Sequence, residues 1–389
     1  METTVDRLDS RASKASVCVS PGVFPDIEYL DWIAGRPEDA THDLGTSDLR
    51  RELPDGDLVP PALDGIESPE ADLETQLADV YGVGTENVLV TAGATHANFL
   101  AVAAALARDE DGDDGAEPDR SNQRVLVEKP GYEPLVATPR GLGATVDRFL
   151  RPAEDDFALD ADRVAAAVSD ATSCITVTNR HNPSGRREGR ETLATASRVA
   201  ADAEATLLVD EVYAPFGTAR VDGPFGGPTA AGLPNTVVTN SLTKFFGFGP
   251  LRVGWLVADA AFVERARSVA FHLPAVASPS VALARRALAD AGELGASSRD
   301  RIAANRDLLT SFVAEHDLTG TVPPGSTYGF FAHESADGDA VTEAAWEQGV
   351  LVVPGRFFDD ADRFRLSLGH DPASVREALA ALDGVLDDL

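Results

Sequence analysis

Between residues 88 and 257 the chain alternates short apolar runs with helical stretches, and this alternation limits its fold more than any other feature. ENVLVTAGA, RVLVEKP, CITVTN, TLLVDE, TVVTNS and RVGWLVAD are each of strand length and apolar almost throughout. Runs without polar alternation belong to strands buried on both faces. THANFLAVAAALA and RETLATASRVAADA lie between them as helices, and residues 135–150 hold a further helix and strand. Strands and helices in turn indicate an α/β fold with a large, doubly wound, mainly parallel sheet. Such sheets bind ligands at the carboxyl ends of their strands, so chemistry is sought there.

The flanks read differently. Residues 1–20 form a polar tail with no signal-type apolar stretch, which implies a cytoplasmic protein. Residues 21–60 are irregular, with one short helix around Ile27, Tyr29, Leu30 and Trp32. Leu73, Leu77 and Val80 set a helix within 69–81. The acidic stretch 109–123 is a solvated connection with no assigned function. Residues 260–315 are helical and bridge to a smaller α+β unit containing GFFAH, GVLVVP, RFRLSL and a last helix at 372–388. The expected division is a large domain over 46–285 and a small domain over 286–389, joined by the N-terminal segment 1–45.

Charge narrows the partners. The chain carries 33 basic and 64 acidic residues, a net charge of −31. Such a surface repels phosphate backbones, so nucleic acid and anionic membranes are excluded as partners. No apolar run approaches the roughly 18–20 residues that cross a bilayer. Only three basic residues are lysines (Lys14, Lys129 and Lys244), an acid-rich, lysine-poor balance similar to that of proteins from salt-loving organisms. Cys18 and Cys174 lie far apart and the histidines are scattered, so neither a disulfide framework nor a metal site is expected.

Several segments at strand ends carry candidate chemistry. In NSLTKFFGFGPLRVGW, Ser241, Lys244 and Arg252 follow a strand. An unprotonated lysine amine condenses with an aldehyde, and burial beside a cation would lower its pKa for this task. A hydroxyl and a fixed guanidinium suit a phosphate. TLLVDEVYAPF ends a strand in Asp210, a carboxylate able to pair with a pyridinium nitrogen, with Tyr213 three residues later. TAGATHA, containing Gly93, Ala94 and Thr95, opens a helix whose free amides and dipole attract phosphate.

In this order the segments resemble those of fold-type I pyridoxal-phosphate aminotransferases, class I/II, over roughly residues 40–389. The resemblance implies pyridoxal 5'-phosphate as cofactor, joined to Lys244. It makes Asp210 the pyridine partner, Tyr213 and Asn182 (in TNRHNPSG) contacts to the ring's phenolic oxygen, and Tyr132 (in EKPGYEPL) the stacked aromatic. Gly93, Ala94, Thr95, Ser241 and Arg252 would hold the phosphate. Arg365 in FRLSLG, after VVPG, would bind the substrate carboxylate, as would Asn182 and the backbone of Gly45 in HDLGTSDL. The implied reaction moves an amino group from an amino acid to a 2-oxo acid in a homodimer, with aspartate the commonest donor. A lyase, decarboxylase or cyclase of the same fold is the alternative, since LGTSDLREL is similar to a segment of capreomycidine-synthase-like relatives. Two departures stand out. PPALDGIESPE lacks the tyrosine that many relatives direct to the neighbouring subunit's phosphate, and TYGFF brings Tyr328 where it would narrow the substrate pocket.

Overall fold

The computed structural model describes residues 24–51, 57–107, 123–316 and 318–389. The polar tail, Cys18 and nearly all of the acidic stretch 109–123 lie outside them. The described residues open with two short helices, α1 (Glu28–Ile33) and α2 (Arg36–Asp39), then β1 (His42–Asp43) and α3 (Leu73–Tyr81). The α/β region follows with β2 (Val88–Thr91), α4 (Ala94–Leu106), β3 (Arg124–Lys129), α5 (Glu133–Gly141), β4 (Thr145–Leu150) and α6 (Ala161–Ala167). It continues through β5 (Thr172–Thr178), α7 (Arg190–Asp202), β6 (Thr206–Asp210), β7 (Thr236–Ser241) and β8 (Gly254–Val257). Helices α8 (Ala260–Ala270), α9 (Ser278–Ala289) and α10 (Ala291–Glu315) lead to β9 (Tyr328–Ala332) and α11 (Gly338–Glu347). The chain closes with β10 (Val350–Leu351), β11 (Val353–Pro354), β12 (Arg363–Ser367) and α12 (Pro372–Asp387).

Strands β2 to β8 form one seven-stranded sheet in the order β2-β8-β7-β6-β5-β3-β4. Pairings from β7 through β4 are parallel, whereas β8 runs antiparallel to both β7 and β2. Successive residues of a strand serve opposite cores, because side chains alternate across a sheet. Leu207 and Val209 of β6 enter one apolar cluster and Leu208 the other. Val238 and Val237 of β7 divide in the same way. Both faces are therefore covered, which explains why these runs lack polar alternation.

The second unit is built from both ends of the described chain. β1 pairs in parallel with β10, through His42 with Val350 and Asp43 with Leu351. β11, β12 and β9 form an antiparallel sheet beside it. Leu44 shares a buried cluster with Leu309, Phe364 and Leu382, so the early chain is locked to the late chain by apolar packing. No helix among the described residues is long and apolar enough to cross a membrane.

Candidate active site

Parallel pairing aligns the carboxyl ends of the central strands. Thr178 of β5 lies opposite Asp210 of β6, and Asp210 opposite Thr239 of β7. Above these ends opens a cavity of about 420 Å³, within the range of small-molecule sites. Ten of the twelve residues singled out in the sequence line it: Ala94, Thr95, Tyr132, Asn182, Asp210, Tyr213, Ser241, Lys244, Arg252 and Arg365. Gly93 and Gly45 do not line it but adjoin residues that do, Gly93 beside Arg252 and Gly45 bonded to Arg365.

Asp210 is buried and held by two hydrogen bonds, one of them from a side chain that is itself fixed. Its Oδ2 accepts from Asn98 Nδ2 at 2.8 Å, its Oδ1 accepts from the Val212 amide at 3.2 Å, and Asn98 Oδ1 accepts from the Thr239 hydroxyl at 2.5 Å. Burial raises its pKa, and the Asn98 hydrogen bond, the Val212 amide and the charge of Lys244 oppose that rise. A carboxylate at this depth gains by meeting a cationic N–H.

The end of the cavity beside α4 is a cradle that a larger residue would close. Gly93 precedes α4 at φ +82, and a Cβ there would lie 2.9 Å from Arg252 Nη2. A Cβ on Gly254 would lie 2.5 Å from the Gly93 carbonyl carbon. Helix α4 has no side-chain cap and no acidic residue in its first turn. The amides of Ala94 and Thr95 thus belong to the orphan donors of a helix start, pointed at the cavity together with the positive end of the dipole. Arg252, Ser241 and Thr243 complete this end.

Lys244 sits in the loop after β7, its side chain 27% exposed. Its Nζ lies 3.4 Å from Ser47 Oγ, 4.0 Å from Asp48 Oδ1 and 5.7 Å from the centre of the Tyr213 ring. The sequence-based expectation of a depressed lysine pKa is not met. Burial is the largest influence and pushes the pKa down, but Tyr213, Asp48 and Tyr29 together outweigh it and the net direction is upward.

Arg365 is buried on β12. Its Nη1 donates to Asn182 Oδ1 at 2.9 Å and its Nη2 to the Gly45 carbonyl at 2.8 Å, while Nε is buried without a hydrogen-bond partner among the described residues. The bond to Arg365 occupies the oxygen end of the Asn182 amide and leaves the NH₂ end to the cavity. Asn182 is set from below as well. Its backbone N–H donates to Thr178 Oγ1 (3.1 Å), and Thr178 Oγ1 donates to Glu128 (2.5 Å). Glu128 is paired with the fully buried Arg151 at 2.6 Å. Gly45 differs from its expected part. Its amide already donates to Asp43 Oδ1 at 2.9 Å, so its contribution here is a carbonyl that aims Arg365.

Tyrosines dominate the remaining wall. The Tyr213 hydroxyl shares a 2.6 Å hydrogen bond with Ser47 Oγ. Tyr132 meets Tyr29 edge-on, at 5.7 Å and 75°. Glu133 fastens α1 in place by accepting from the amides of Glu28 (3.1 Å) and Tyr29 (2.7 Å). Tyr328 does not narrow the cavity, contrary to the sequence-based expectation. It is fully buried behind Tyr213, with ring centres 4.9 Å apart, and its hydroxyl donates to the His181 carbonyl at 3.3 Å.

Tyr29, Leu30, Ser47, Asn98, Thr178, Val212 and Thr243 also line the cavity, and sequence reasoning assigned none of them to it. Asn98 carries a usable signal, as the last polar residue before the wholly apolar run Phe99–Leu106 of a buried helix. Tyr29 and Ser47 carried none. Among the described residues, no group of three or more His, Cys, Asp or Glu could hold a metal ion.

The residues present therefore fit a phosphorylated, nitrogen-containing aromatic aldehyde: an amine, a buried carboxylate, an anion cradle and aromatic walls, with a buried arginine beyond. Comparisons with known proteins agree. The family model "Aminotransferase class I and II" matches residues 66–382. A histidinol-phosphate aminotransferase of Halorubrum lacusprofundi is 29% identical over 83% of this chain and 81% of its own length. Capreomycidine synthase of Streptomyces vinaceus is 29% identical over 66% of this chain and 67% of its own. A PLP-dependent aminotransferase from Streptococcus suis superposes with a TM-score of 0.79 at 22% identity, covering 94% of this chain and 98% of that one. The chain belongs to the class I and II aminotransferases, pyridoxal-phosphate enzymes that pass an amino group from an amino acid to a 2-oxo acid.

Proposed function

We propose that Lys244 is the residue that carries pyridoxal 5'-phosphate, and that the cavity above β5, β6 and β7 is where an amino acid gives up its amino group. The observation that carries this reading is the convergence of Lys244, Asp210, Arg252 and Arg365, from three separate segments, on one cavity. In it, Asp210 partners the ring nitrogen, and Asn182 and Tyr213 donate to the phenolic oxygen. Tyr132 covers a ring face, and Gly93, Ala94, Thr95, Ser241 and Arg252 hold the phosphate.

When bound, the cofactor supplies an electron sink for charge released at the substrate's α-carbon. The protein does the rest. Arg365 grips the α-carboxylate through its planar fork, and the orphaned Nε is a donor still to be used. That grip turns the α-hydrogen toward Lys244, whose free amine takes the proton as general base and returns it at a different atom. Asp210, immobilised by Asn98, keeps its charge aimed at the ring nitrogen throughout. Tyr29, held by Glu133, helps exclude water from above.

Two arginines line the cavity, and this reading uses both, one for phosphate and one for the α-carboxylate. The Tyr29, Leu30 and Tyr132 wall then suits an aromatic or apolar donor better than aspartate. The same proposal divides the chain into domains over 46–285 and 286–389, with 1–45 joining the latter, and makes the protein a cytoplasmic homodimer. Borohydride reduction of the purified holoenzyme followed by peptide mass spectrometry should place the cofactor on Lys244. Lys244→Ala should lose transamination, and a variant that keeps it would overturn the assignment. A donor screen scoring 2-oxo acid against released carbon dioxide or ammonia separates amino transfer from lyase or cyclase chemistry. Arg365 favours the former, because an ion-paired carboxylate is held back from leaving.

A further inference from the structure

The mechanism leaves one charged group beside the lysine unused. Asp48 follows Ser47 in the segment between β1 and α3, and its Oδ1 is 4.0 Å from Lys244 Nζ. It is 15% exposed, so water screens it only partly. The Leu49 amide donates to the Lys244 carbonyl at 2.9 Å, which ties this segment to the lysine's own backbone. Ser47 Oγ lies between the Tyr213 hydroxyl and Lys244 Nζ, at 2.6 and 3.4 Å. These contacts form a seat for an ammonium group: one carboxylate, one hydroxyl and a backbone anchor.

We propose that Asp48, with Ser47, is a positioning residue that holds Lys244 whenever its amine is detached and carries the proton. This rests on Lys244 being the catalytic lysine. The amine must alternate between accepting a proton and giving it back. A carboxylate 4 Å away favours the charged form, makes the amine the stronger base, and keeps the side chain over the strand ends rather than in solvent. The charged and titratable groups that face Lys244 are Asp48, Tyr213, Tyr29, Arg365 and Asp210. Of these only Arg365 is cationic, and the net influence on the lysine is upward. Arg50 in turn faces Asp48, with its Nε 3.8 Å from Oδ2, and also lies 3.9 Å from Asp43, so it tempers the Asp48 charge.

With three lysines in the chain, the lysine can be read directly. The holoenzyme is loaded with pyridoxamine phosphate, which leaves Lys244 free, and its acetylation by acetic anhydride is followed against pH by peptide mass spectrometry, with Lys129 as internal control. Asp48→Asn should move the Lys244 profile to lower pH by about one unit or more, and Lys129 should not move. Arg50→Gln should move it the other way, by about half a unit, since it frees the Asp48 charge. Opposite shifts from two neighbouring substitutions are not what a merely structural role produces. In turnover, Asp48→Asn should lower kcat about tenfold while KM changes less than twofold. An unmoved Lys244 profile in both variants would overturn the proposal. If Asp48→Asn proves unstable, the sign of the shift in Arg50→Gln alone decides. Failure of the underlying reading looks different, because borohydride would then leave Lys244 unmodified in the parent enzyme.

Discussion

The floor and the wall of the cavity are built on different principles. Floor residues Asp210, Ser241 and Lys244 stand at or within three residues of the ends of β6 and β7, and parallel pairing alone sets them side by side. Wall residues Tyr29, Ser47 and Arg365 come from opposite ends of the chain and meet through contacts that span more than a hundred residues. The Arg365–Gly45 bond spans 320 positions and the Glu133–Tyr29 bond 104. A floor of this kind is rigid because the sheet is. The wall is only as firm as the handful of polar contacts that close it, so the proposed carboxylate grip and lysine seat both rest on the less redundant part of the molecule.

Substitutions can break that contrast. The largest effect is expected on the floor: Asp210→Ala should lower kcat by at least about a thousandfold, some 4 kcal/mol, with cofactor affinity reduced as well. Steady-state kinetics at saturating cofactor checks it, and a loss under tenfold would show that the floor carboxylate is dispensable. On the wall, Arg365→Leu should cost about a hundredfold in kcat/KM, roughly 3 kcal/mol, carried mostly by KM. Asn182 would lose the partner that orients its amide, so a smaller fall in kcat should accompany it.

A pH experiment sharpens the floor side. Glu211, next to Asp210, is buried and accepts from the Ala230 amide at 2.6 Å and the Thr229 hydroxyl at 2.8 Å. Burial pushes its carboxyl up to about 8. Its folded pKa lies above the unfolded value, so its contribution is intact below about pH 4.5 and is lost as pH rises toward 8, on the order of a few kcal/mol. Glu211→Gln removes that loss. The Tm of the variant relative to the parent should rise progressively from pH 5 to pH 8, and a gap independent of pH would refute the assignment. The smallest effect returns to the wall: Glu133→Gln weakens the clasp on α1 by about 1 kcal/mol. Hydrogen exchange at the amides of residues 28–30 should quicken while that of β6 stays unchanged.

How much was legible follows the same line between floor and wall. The sheet was readable because strands buried on both faces leave uninterrupted apolar runs, and β5, β6 and β7 fall where CITVTN, TLLVDE and TVVTNS stand. Asp210, Lys244 and Arg252 were readable because their spacing from a strand end is short and local. Tyr29 looked like one apolar residue among several, since nothing near it in sequence reveals that Glu133 will hold its amide. The basicity of Lys244 departs from the sequence-based expectation for the same reason. The nearby cation was visible in sequence, but the carboxylate of Asp48, nearly two hundred residues away, was not. Tyr328 was expected in the pocket because its neighbours were known and its rotamer was not.

By itself, then, the sequence determined the parallel sheet, the chemical types gathered at its strand ends and the family to which they belong. These depend on hydrophobic periodicity and short-range spacing, which the chain carries explicitly. Tertiary structure alone decided which end-to-end contacts close the cavity, how Arg365 and Asn182 are aimed, and which charge faces the lysine. Those are matters of a few ångströms between segments far apart along the chain, and electrostatic influence at that range depends on distance and burial rather than on order in the sequence.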